Sequence, residues 1–347
     1  MEHDFMTYYL GVDGGGTKTK FTVCRVSDTN TSAAPFGEVV GEYTSTCCHY
    51  LQIGFDGVGA LMRDGIAAVC QRVRDNADAK APDFGAADIN RAFLGLAGYA
   101  DVSTDDPKIE SSIRTAMRVF ATKERPDGIP FGIGNDCENA LAGALAGKPG
   151  INVIAGTGSV GCGRDEYGGY FRCGGWPHDL GGDEGSAYWI AWNLLHVFQR
   201  QSDGRDKKTP LYAAVKEALD LPRDDALVTR VVEEWDMDRT RIATLSPIVS
   251  RLAEDGDPAA KAILSNTARE LADYAIAIKK QLNFRGDIPV SGTGGIFSIG
   301  PAVTDVFDRI LRKNGMHYVK PLYSPDIGAV LLAIKGGVAE CDTSLCI

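Results

Sequence analysis

The sequence lacks features that would indicate a membrane, a secretory route or nucleic acid. No apolar run approaches the ~20 residues that span a bilayer, and the richest late stretch, 327–334, is stopped by Lys335. The N-terminus has no basic segment followed by an apolar core, so we expect no signal peptide. Basic residues are scarce, because 36 Lys and Arg face 46 Asp and Glu, for a net charge of −10. We therefore expect no nucleic acid and no membrane partner, since nucleic acids and anionic membranes are polyanions.

Paired cysteines are also missing. The nine cysteines are odd in number and include no CxxC pair, which argues against a disulfide framework and against a zinc site built from paired cysteines. Cys24 and Cys70 lie within apolar patterns and are predicted to be small buried side chains. These observations predict a protein of the reducing cytoplasm.

Glycine is the residue type that the sequence has in excess. The 347 residues include 41 glycines, well above an average share of about 7%. They cluster beside apolar, β-rich runs at 11–16, 156–163, 168–175, 181–185 and 292–295. Such placement predicts turns between strands rather than a flexible linker. At roughly 150 residues per domain, the length predicts two domains.

A strand–glycine turn–strand pattern occurs near the start of each half of the chain, which predicts an internal duplication with a boundary near 147–150. The predicted strands of the two patterns are 8–13, 19–26, 151–155 and 160–164. Helical spacing and start signals predict helices at 58–73, 109–120, 140–145, 184–199, 258–282, 301–311 and 325–335. The alternation of strands and helices indicates an α/β protein with mixed sheets.

The first glycine turn, 13–19, has the chemistry of a phosphate site. Glycines let the backbone approach a phosphate and turn its N–H groups inward. Asp13 ends a strand beside the turn, where a carboxylate can hold a hydrated Mg²⁺. It is not a Walker A loop, because a strand rather than a helix follows. The predicted phosphate-binding residues are Gly14, Gly15, Gly16, Thr17 and Lys18.

Two further glycine turns lie in the second half. The turn 156–161 matches GxGxxG, but a dinucleotide site needs a helix directly after the glycines, and the residues that follow have hairpin composition. A second phosphate-binding hairpin is the better interpretation, with Gly156, Thr157 and Gly158 as its residues. The third turn, 290–296, would admit a base or ribose against Gly292, Gly294 and Gly295; a plain strand–helix turn is the alternative.

These turns resemble the two-lobed actin-like ATPase (ribonuclease H-like) fold of sugar kinases, actin and Hsp70 chaperones, which implies an α/β architecture with mixed sheets and an interdomain cleft. Specific strings resemble the eukaryotic-type N-acetylglucosamine kinases: GTGS at 156–159, CGGWPH at 173–178 and GDEGSAYWIA at 182–191. These kinases belong with glucosamine kinases and activator ATPases in the BadF/BadG/BcrA/BcrD family. The resemblance implies one lobe from 1–148 with a C-terminal helix at 325–347, and a second lobe from 149–324.

The resemblance also implies roles for individual residues. Asp136 would be the base that takes the sugar hydroxyl proton, whereas the structural alternative is a helix cap. Asp183 would accept hydrogen bonds from sugar hydroxyls, with capping of the helix 184–199 as its alternative. Trp176 could instead belong to the core. The further sugar-binding residues implied are Gly175, Trp176 and Pro177, with Ser159 and Val160 on the acetamido side.

One departure from the family concerns the first-lobe sugar loop. Related kinases carry an Asn-His pair there, whereas this chain has Cys48 and His49. A thiol is a weak hydrogen-bonding group, so this departure affects the choice of sugar more than the reaction.

The function implied is ATP- and Mg²⁺-dependent phosphorylation of an amino sugar, with N-acetylglucosamine and its 6-hydroxyl as the leading acceptor. Glucosamine, N-acetylmuramic acid or another amino sugar is the alternative acceptor. An ATPase that activates a redox enzyme would need bridging cysteines for an iron–sulfur cluster, and no such cysteine cluster is evident. A non-catalytic sugar-binding regulator would have no need of Asp13 and Asp136. Related kinases are often dimers, so the resemblance allows a homodimer.

Overall fold

The structure is a computed structural model that describes residues 6–27 and 34–336. The chain divides into two compact units: unit 1 combines Met1–Lys148 with Pro321–Ile347, and unit 2 is Pro149–Lys320. Among the described residues, no helix is both long and apolar enough to cross a membrane.

The elements follow in chain order. The strands are β1 Met6–Gly14, β2 Lys18–Ser27, β3 Glu38–Thr46, β4 Ile89–Leu96, β5 Phe131–Gly134, β6 Gly150–Ala155, β7 Ser159–Arg164, β8 Tyr170–Gly174, β9 Ile288–Thr293 and β10 Met316–Val319. The α-helices are α1 Tyr50–Asp75, α2 Asp106–Arg118, α3 Asp136–Ala144, α4 Ala187–Ser202, α5 Pro210–Ala218, α6 Ala226–Val228, α7 Arg239–Ala243, α8 Ser246–Glu254, α9 Pro258–Gln281, α10 Pro301–Lys313 and α11 Pro325–Ile334.

Unit 1 is built on a five-stranded sheet in the order β3-β2-β1-β4-β5. The strands β1, β2 and β3 pair antiparallel, while β4 lies parallel to β1 and β5 parallel to β4. Phe21 of β2 is fully buried with Met62 and Ile66 of α1. Gly65 allows this approach, because a Cβ there would overlap the Phe21 ring. Burial of each such large side chain stabilises the folded state by roughly 1.5–3 kcal/mol.

Unit 2 repeats this plan. Its five-stranded sheet has the order β10-β9-β6-β7-β8, again with three antiparallel strands followed by two parallel ones. Its core brings β6 and β9 together with α4, α8, α9 and α10. The shared strand order confirms the duplication that the repeated strand–turn–strand pattern predicted.

Several predicted helix bounds differ from the observed ones. Helix α1 begins at Tyr50 rather than Val58, because His49 caps it and the chain continues through a kink at Gly54, where φ is 74°. Helix α4 begins at Ala187, not at Glu184. Helix α11 ends at Ile334, and residues 337–347 of the predicted C-terminal helix lie outside the described residues.

Candidate active site

The first glycine turn connects β1 to β2. The Gly15 N–H donates to the Lys18 carbonyl at 2.9 Å, and Gly16, Thr17 and Lys18 are exposed. Gly14 is buried, and a Cβ there would meet the Cys48 sulfur and Leu96. The exposed glycine, hydroxyl and ammonium groups of the turn are suited to contact a phosphate.

Asp13 lies directly before this turn and is half-buried. Its Oδ1 accepts a hydrogen bond from Asn139 of α3 at 3.1 Å. Burial raises the pKa of Asp13 to about 7; the Asn139 hydrogen bond opposes that rise, and the nearby carboxyls of Asp136 and Asp326 add to it. A cation at this carboxyl would favour the ionised form.

Asp136 is the first residue of α3, and Asn135 is the residue that caps the helix. The Asn135 side chain accepts from the Cys137 N–H at 3.0 Å, while Glu138 accepts from the Asn135 N–H at 3.3 Å, completing a capping box. The alternative interpretation of Asp136 as the cap of this helix is therefore wrong. Its carboxylate stands at the positive end of the α3 dipole, close enough to Asp13 to affect its pKa.

Cys48 and His49 lie beside the first turn; Cys48 is buried and His49 is half-buried. The Cys48 N–H donates to the Gly15 carbonyl at 3.2 Å, and its side chain is only 1% exposed. Burial raises the pKa of the thiol to about 12. His49 Nδ1 accepts from the Leu51 N–H at 3.3 Å as the cap of α1. Direct sugar contact by the Cys48 thiol, expected from the sequence, does not fit this burial; the residue packs under the turn.

The second glycine turn connects β6 to β7. The Gly156 N–H donates to the Gly158 carbonyl at 2.9 Å, and the Gly156 carbonyl accepts from the Ala187 N–H at 2.8 Å. Thr157 is exposed at the tip. A strand, not a helix, follows the glycines, so the dinucleotide alternative is wrong.

Asp183 is buried beside this turn and does not cap α4. The cap is Ser186, whose Oγ accepts from the Trp189 N–H at 3.1 Å. Asp183 has a φ of 63° and Gly185 a φ of 79°, conformations that prevent a helix from starting earlier. The Asp183 Oδ1 accepts from the Ser159 N–H at 3.1 Å, and its Oδ2 pairs with Arg239 Nη2 at 2.7 Å. Burial raises the pKa of Asp183, and the Arg239 charge opposes that rise.

Arg239, like Asn139, is a candidate site residue that sequence reasoning missed. It lies 56 positions after Asp183, at the start of the short α7, and belongs to no recognisable motif. A salt bridge between residues so distant in sequence leaves no local signal.

The residues predicted to contact the sugar in unit 2 divide into two groups. Gly175, Trp176 and Pro177 are exposed, and Trp176 is 68% exposed, so it is not a core residue. Ser159 is 4% exposed, with its hydroxyl donating to the Glu184 carbonyl at 2.7 Å. This hydroxyl is therefore engaged within the protein; Val160 is half-buried next to it.

The third glycine turn follows β9. Gly294 and Gly295 are exposed, as a nucleotide-contacting backbone requires. Gly292 is buried, because the Phe297 ring occupies the space that its side chain would fill. The expected contact of Gly292 with a base is therefore replaced by packing against Phe297.

Solved structures share this fold. A ROK family glucokinase from Streptomyces griseus, 18% identical, matches with a TM-score of 0.51 over 95% of this chain and 99% of that chain. A candidate N-acetylglucosamine kinase from Chromobacterium violaceum, 26% identical, matches with a TM-score of 0.66 over 94% of this chain and 98% of that chain. The fold and the glycine turns place the protein in the class of actin-like ATPases and sugar kinases.

Within that class, the chain belongs to the BadF/BadG/BcrA/BcrD ATPase family, whose model matches residues 10–333. Membership of an ATPase family implies that the chain uses ATP. Curated relatives include the N-acetyl-D-glucosamine kinase of Dictyostelium discoideum, 28% identical over 94% of this chain and 98% of the relative. The N-acetylmuramic acid/N-acetylglucosamine kinase of Clostridium acetobutylicum is 27% identical over 97% of this chain and 100% of the relative.

Proposed function

We propose that the protein is an ATP-dependent kinase that phosphorylates an amino sugar, with N-acetylglucosamine and its 6-hydroxyl as the preferred acceptor. The observation that carries the proposal is the similarity to two amino-sugar kinases across 94% and 97% of this chain, with almost all of each relative covered. The family model, which matches residues 10–333, spans the glycine turns, Asp136 and Asp183.

Phosphoryl transfer requires positioning, charge neutralisation and a base. In this proposal the backbone and side chains of the two glycine turns, 15–18 and 156–158, bind the ATP phosphates. Asp136 accepts the proton of the sugar hydroxyl as it attacks, and such a base contributes typically 10²–10⁴-fold. The exposed Gly175, Trp176 and Pro177 bind the sugar, and Gly294 and Gly295 lie against the nucleoside.

Magnesium fits the chemistry of Asp13. Mg²⁺ usually binds through one or two carboxylates together with water and phosphate oxygens. Within residues 6–27 and 34–336, no group of three or more His, Cys, Asp or Glu could hold a metal, so its other ligands would be water and phosphate. Bound there, the ion would neutralise charge on the phosphate that is transferred. Asp13 would hold it directly, and Asn139 would orient the carboxylate.

A coupled assay that measures ADP release tests the proposal. The intact protein, with MgATP, is given N-acetylglucosamine, glucosamine, N-acetylmannosamine, N-acetylmuramic acid, glucose or no sugar. We expect ADP release that depends on sugar and is fastest with N-acetylglucosamine. Equal release without sugar would instead indicate an ATPase activator, and no release under any condition would indicate a non-catalytic regulator; either result contradicts the proposal.

We also propose that the kinase acts in the cytoplasm and as a homodimer. The absence of CxxC pairs and the odd number of cysteines support a reducing compartment. The dimer rests on the family resemblance alone. Sedimentation analysis of the purified chain tests it, because a monomer at micromolar concentration would contradict it.

A further inference from the structure

The guanidinium of Arg239 lies against the second glycine turn. Its Nη2 is so close to Gly158 that a Cβ at that position would overlap both Nη2 and the Asp183 carboxylate. The glycine therefore admits the cation to the backbone of the turn as well as giving the turn its shape. The Arg239 side chain is 36% exposed, so this charge is accessible to solvent.

The second turn has phosphate-binding donors but no cation of its own. Within the part of the chain that the structure describes, the N–H groups of Thr157 and Gly158 have no acceptor. Residues 156–161 contain no Lys or Arg, whereas the first turn has the exposed Lys18. A triphosphate carries several negative charges, and the whole chain is itself acidic. A side-chain cation for the second turn would therefore have to come from a residue elsewhere in the sequence.

Asp183 holds Arg239 in position without using all of its donors. The salt bridge is 2.7 Å long and its carboxylate is 7% exposed, so it is poorly screened by solvent. The second oxygen of Asp183 is bound to the Ser159 N–H, which fixes the carboxylate to the turn itself. Arg239 Nε is buried and has no acceptor among the described residues. A guanidinium has five N–H donors in a planar fork, and planar forks match phosphate oxygens.

We propose that Arg239 binds the ATP phosphates at the second glycine turn, and that Asp183 is the positioning residue that directs the guanidinium there. This inference deepens the proposed function and rests on it for the identity of the reaction. It assigns the missing cation of the second turn to α7, a helix that follows the turn by about 80 positions. Asp183 in this arrangement serves the nucleotide through Arg239, whatever contact it also makes with sugar.

The test compares nucleotides that differ only in phosphate. Dissociation constants of the full chain for a non-hydrolysable ATP analogue and for adenosine are measured by titration calorimetry with Mg²⁺. We expect Arg239→Ala to weaken the analogue about 10- to 100-fold, the range of a charged hydrogen bond, and adenosine less than threefold. Arg239→Lys keeps the charge but loses the fork, so its loss should fall between wild type and Arg239→Ala.

Controls separate a ligand contact from a structural effect. Arg241→Ala removes an exposed arginine two positions away and should leave both dissociation constants unchanged. Asp183→Asn should weaken the analogue and leave adenosine nearly unchanged. If Arg239→Ala does not fold, as judged by thermal unfolding, the Arg239→Lys result decides: binding like wild type for both ligands would overturn the proposal.

Three other results for Arg239→Ala would overturn the proposal. The first is an affinity for the analogue within twofold of wild type, and the second is an equal loss of affinity for the analogue and for adenosine. The third is a kinetic effect confined to a higher KM for the sugar. Failure of the proposed function is distinguishable, because a chain that phosphorylates no sugar could still lose triphosphate affinity on substitution of Arg239.

Discussion

At the scale of single residues, Asp13, Asp136 and Asp183 differ in what surrounds each carboxylate. Burial raises the pKa of Asp13, and neighbouring carboxyls add to that rise while the Asn139 amide opposes it. Asp183 is paired with a guanidinium, which opposes the effect of its burial. Asp136 stands at a helix N-terminus whose cap is supplied by its neighbour Asn135. These differences support a different role for each carboxylate: Asp13 would hold the metal, Asp183 would position Arg239, and Asp136 would be the base.

The role of Asp136 can be tested by removing only its basicity. We expect Asp136→Asn to lower kcat about 10²- to 10⁴-fold, while the dissociation constants for the ATP analogue and the sugar stay within about threefold, because the amide fills the same space. Steady-state kinetics and calorimetry measure the two effects. Asp127→Asn, an exposed carboxylate that is 86% accessible, is the matched control and should keep full activity. Near-normal kcat in Asp136→Asn would contradict the assignment.

The raised pKa of Asp13 predicts a pH-dependent stability. The carboxyl ionises near 3.8 when unfolded but at about 7 when folded, so between these values the native state holds a proton that the unfolded state has lost. Stability should therefore fall as pH rises from about 4 to about 7. Without divalent cations, Asp13→Asn should be more stable than wild type by about 2–4 kcal/mol at pH 8, and equal to it near pH 4.

Thermal unfolding midpoints at several pH values measure this difference. A stability difference that is the same at pH 4 and pH 8 would show that ionisation of Asp13 is not its cause. Addition of Mg²⁺ should narrow the gap at pH 8, since a bound cation stabilises the ionised carboxylate.

Sequence reasoning pointed to the candidate residues that lie in local motifs and missed those that act across the fold. Asp13 and Asp136 follow strands in recognisable positions, so they could be predicted. Asn139 and Arg239 could not, since each acts on a residue far away in the chain. Burial was also beyond a single sequence: Cys48, Ser159 and Gly292 lie in the right segments but point into the protein.

At the scale of elements, the close packing of α3 against α11 in unit 1 is sensitive to side-chain volume. A Cβ at Gly328 of α11 would overlap the Asn139 carbonyl and the Gly143 nitrogen. Both are backbone atoms, which cannot rotate away as the end of a side chain could. Asn139 also orients Asp13. The helix contact therefore supports the candidate metal site as well as the fold.

Gly328→Ala tests this packing. We expect it to lower the free energy of unfolding by at least about 2 kcal/mol, because overpacking a rigid contact strains the backbone. Gly85→Ala is the control: a Cβ there meets nothing within 4 Å, and its change should stay within about 0.5 kcal/mol. Chemical denaturation of both variants measures the difference, and equal stability of the two would contradict the packing argument.

Element types were predictable where the pattern was long and regular, and element starts were not. The hairpins β1–β2 and β6–β7 and the long α9 follow from alternation and helical spacing. The start of α4 did not, because Asp183 adopts a positive φ that its residue type does not signal. A tertiary partner, Arg239, accompanies that conformation.

At the scale of the whole molecule, unit 1 is assembled from two separate segments and unit 2 from one. Helix α11 returns to unit 1, where Val330 packs with Cys24 and where Asp326 accepts from Thr22 at 2.7 Å and pairs with Lys20 at 3.0 Å. The sequence predicted this return only through the family resemblance, since no local pattern tells which sheet a helix covers.

This division predicts which fragments fold alone. We expect 149–320 to unfold cooperatively in thermal melts followed by circular dichroism, because its chain is continuous and contains its own core. The fragment 1–148 should not, since it lacks α11, whereas 1–148 joined by a short linker to 321–347 should regain a cooperative transition. Equal cooperativity of the fragments with and without α11 would contradict the expectation.

The late position of α11 in the chain has a consequence for synthesis on the ribosome. The first sheet is made early, but the helix that covers it is translated only after the whole of the second unit. Nascent unit 1 must therefore wait with an apolar surface uncovered while unit 2 is synthesised. We infer that this stage is when the polypeptide depends most on chaperones and is most exposed to aggregation.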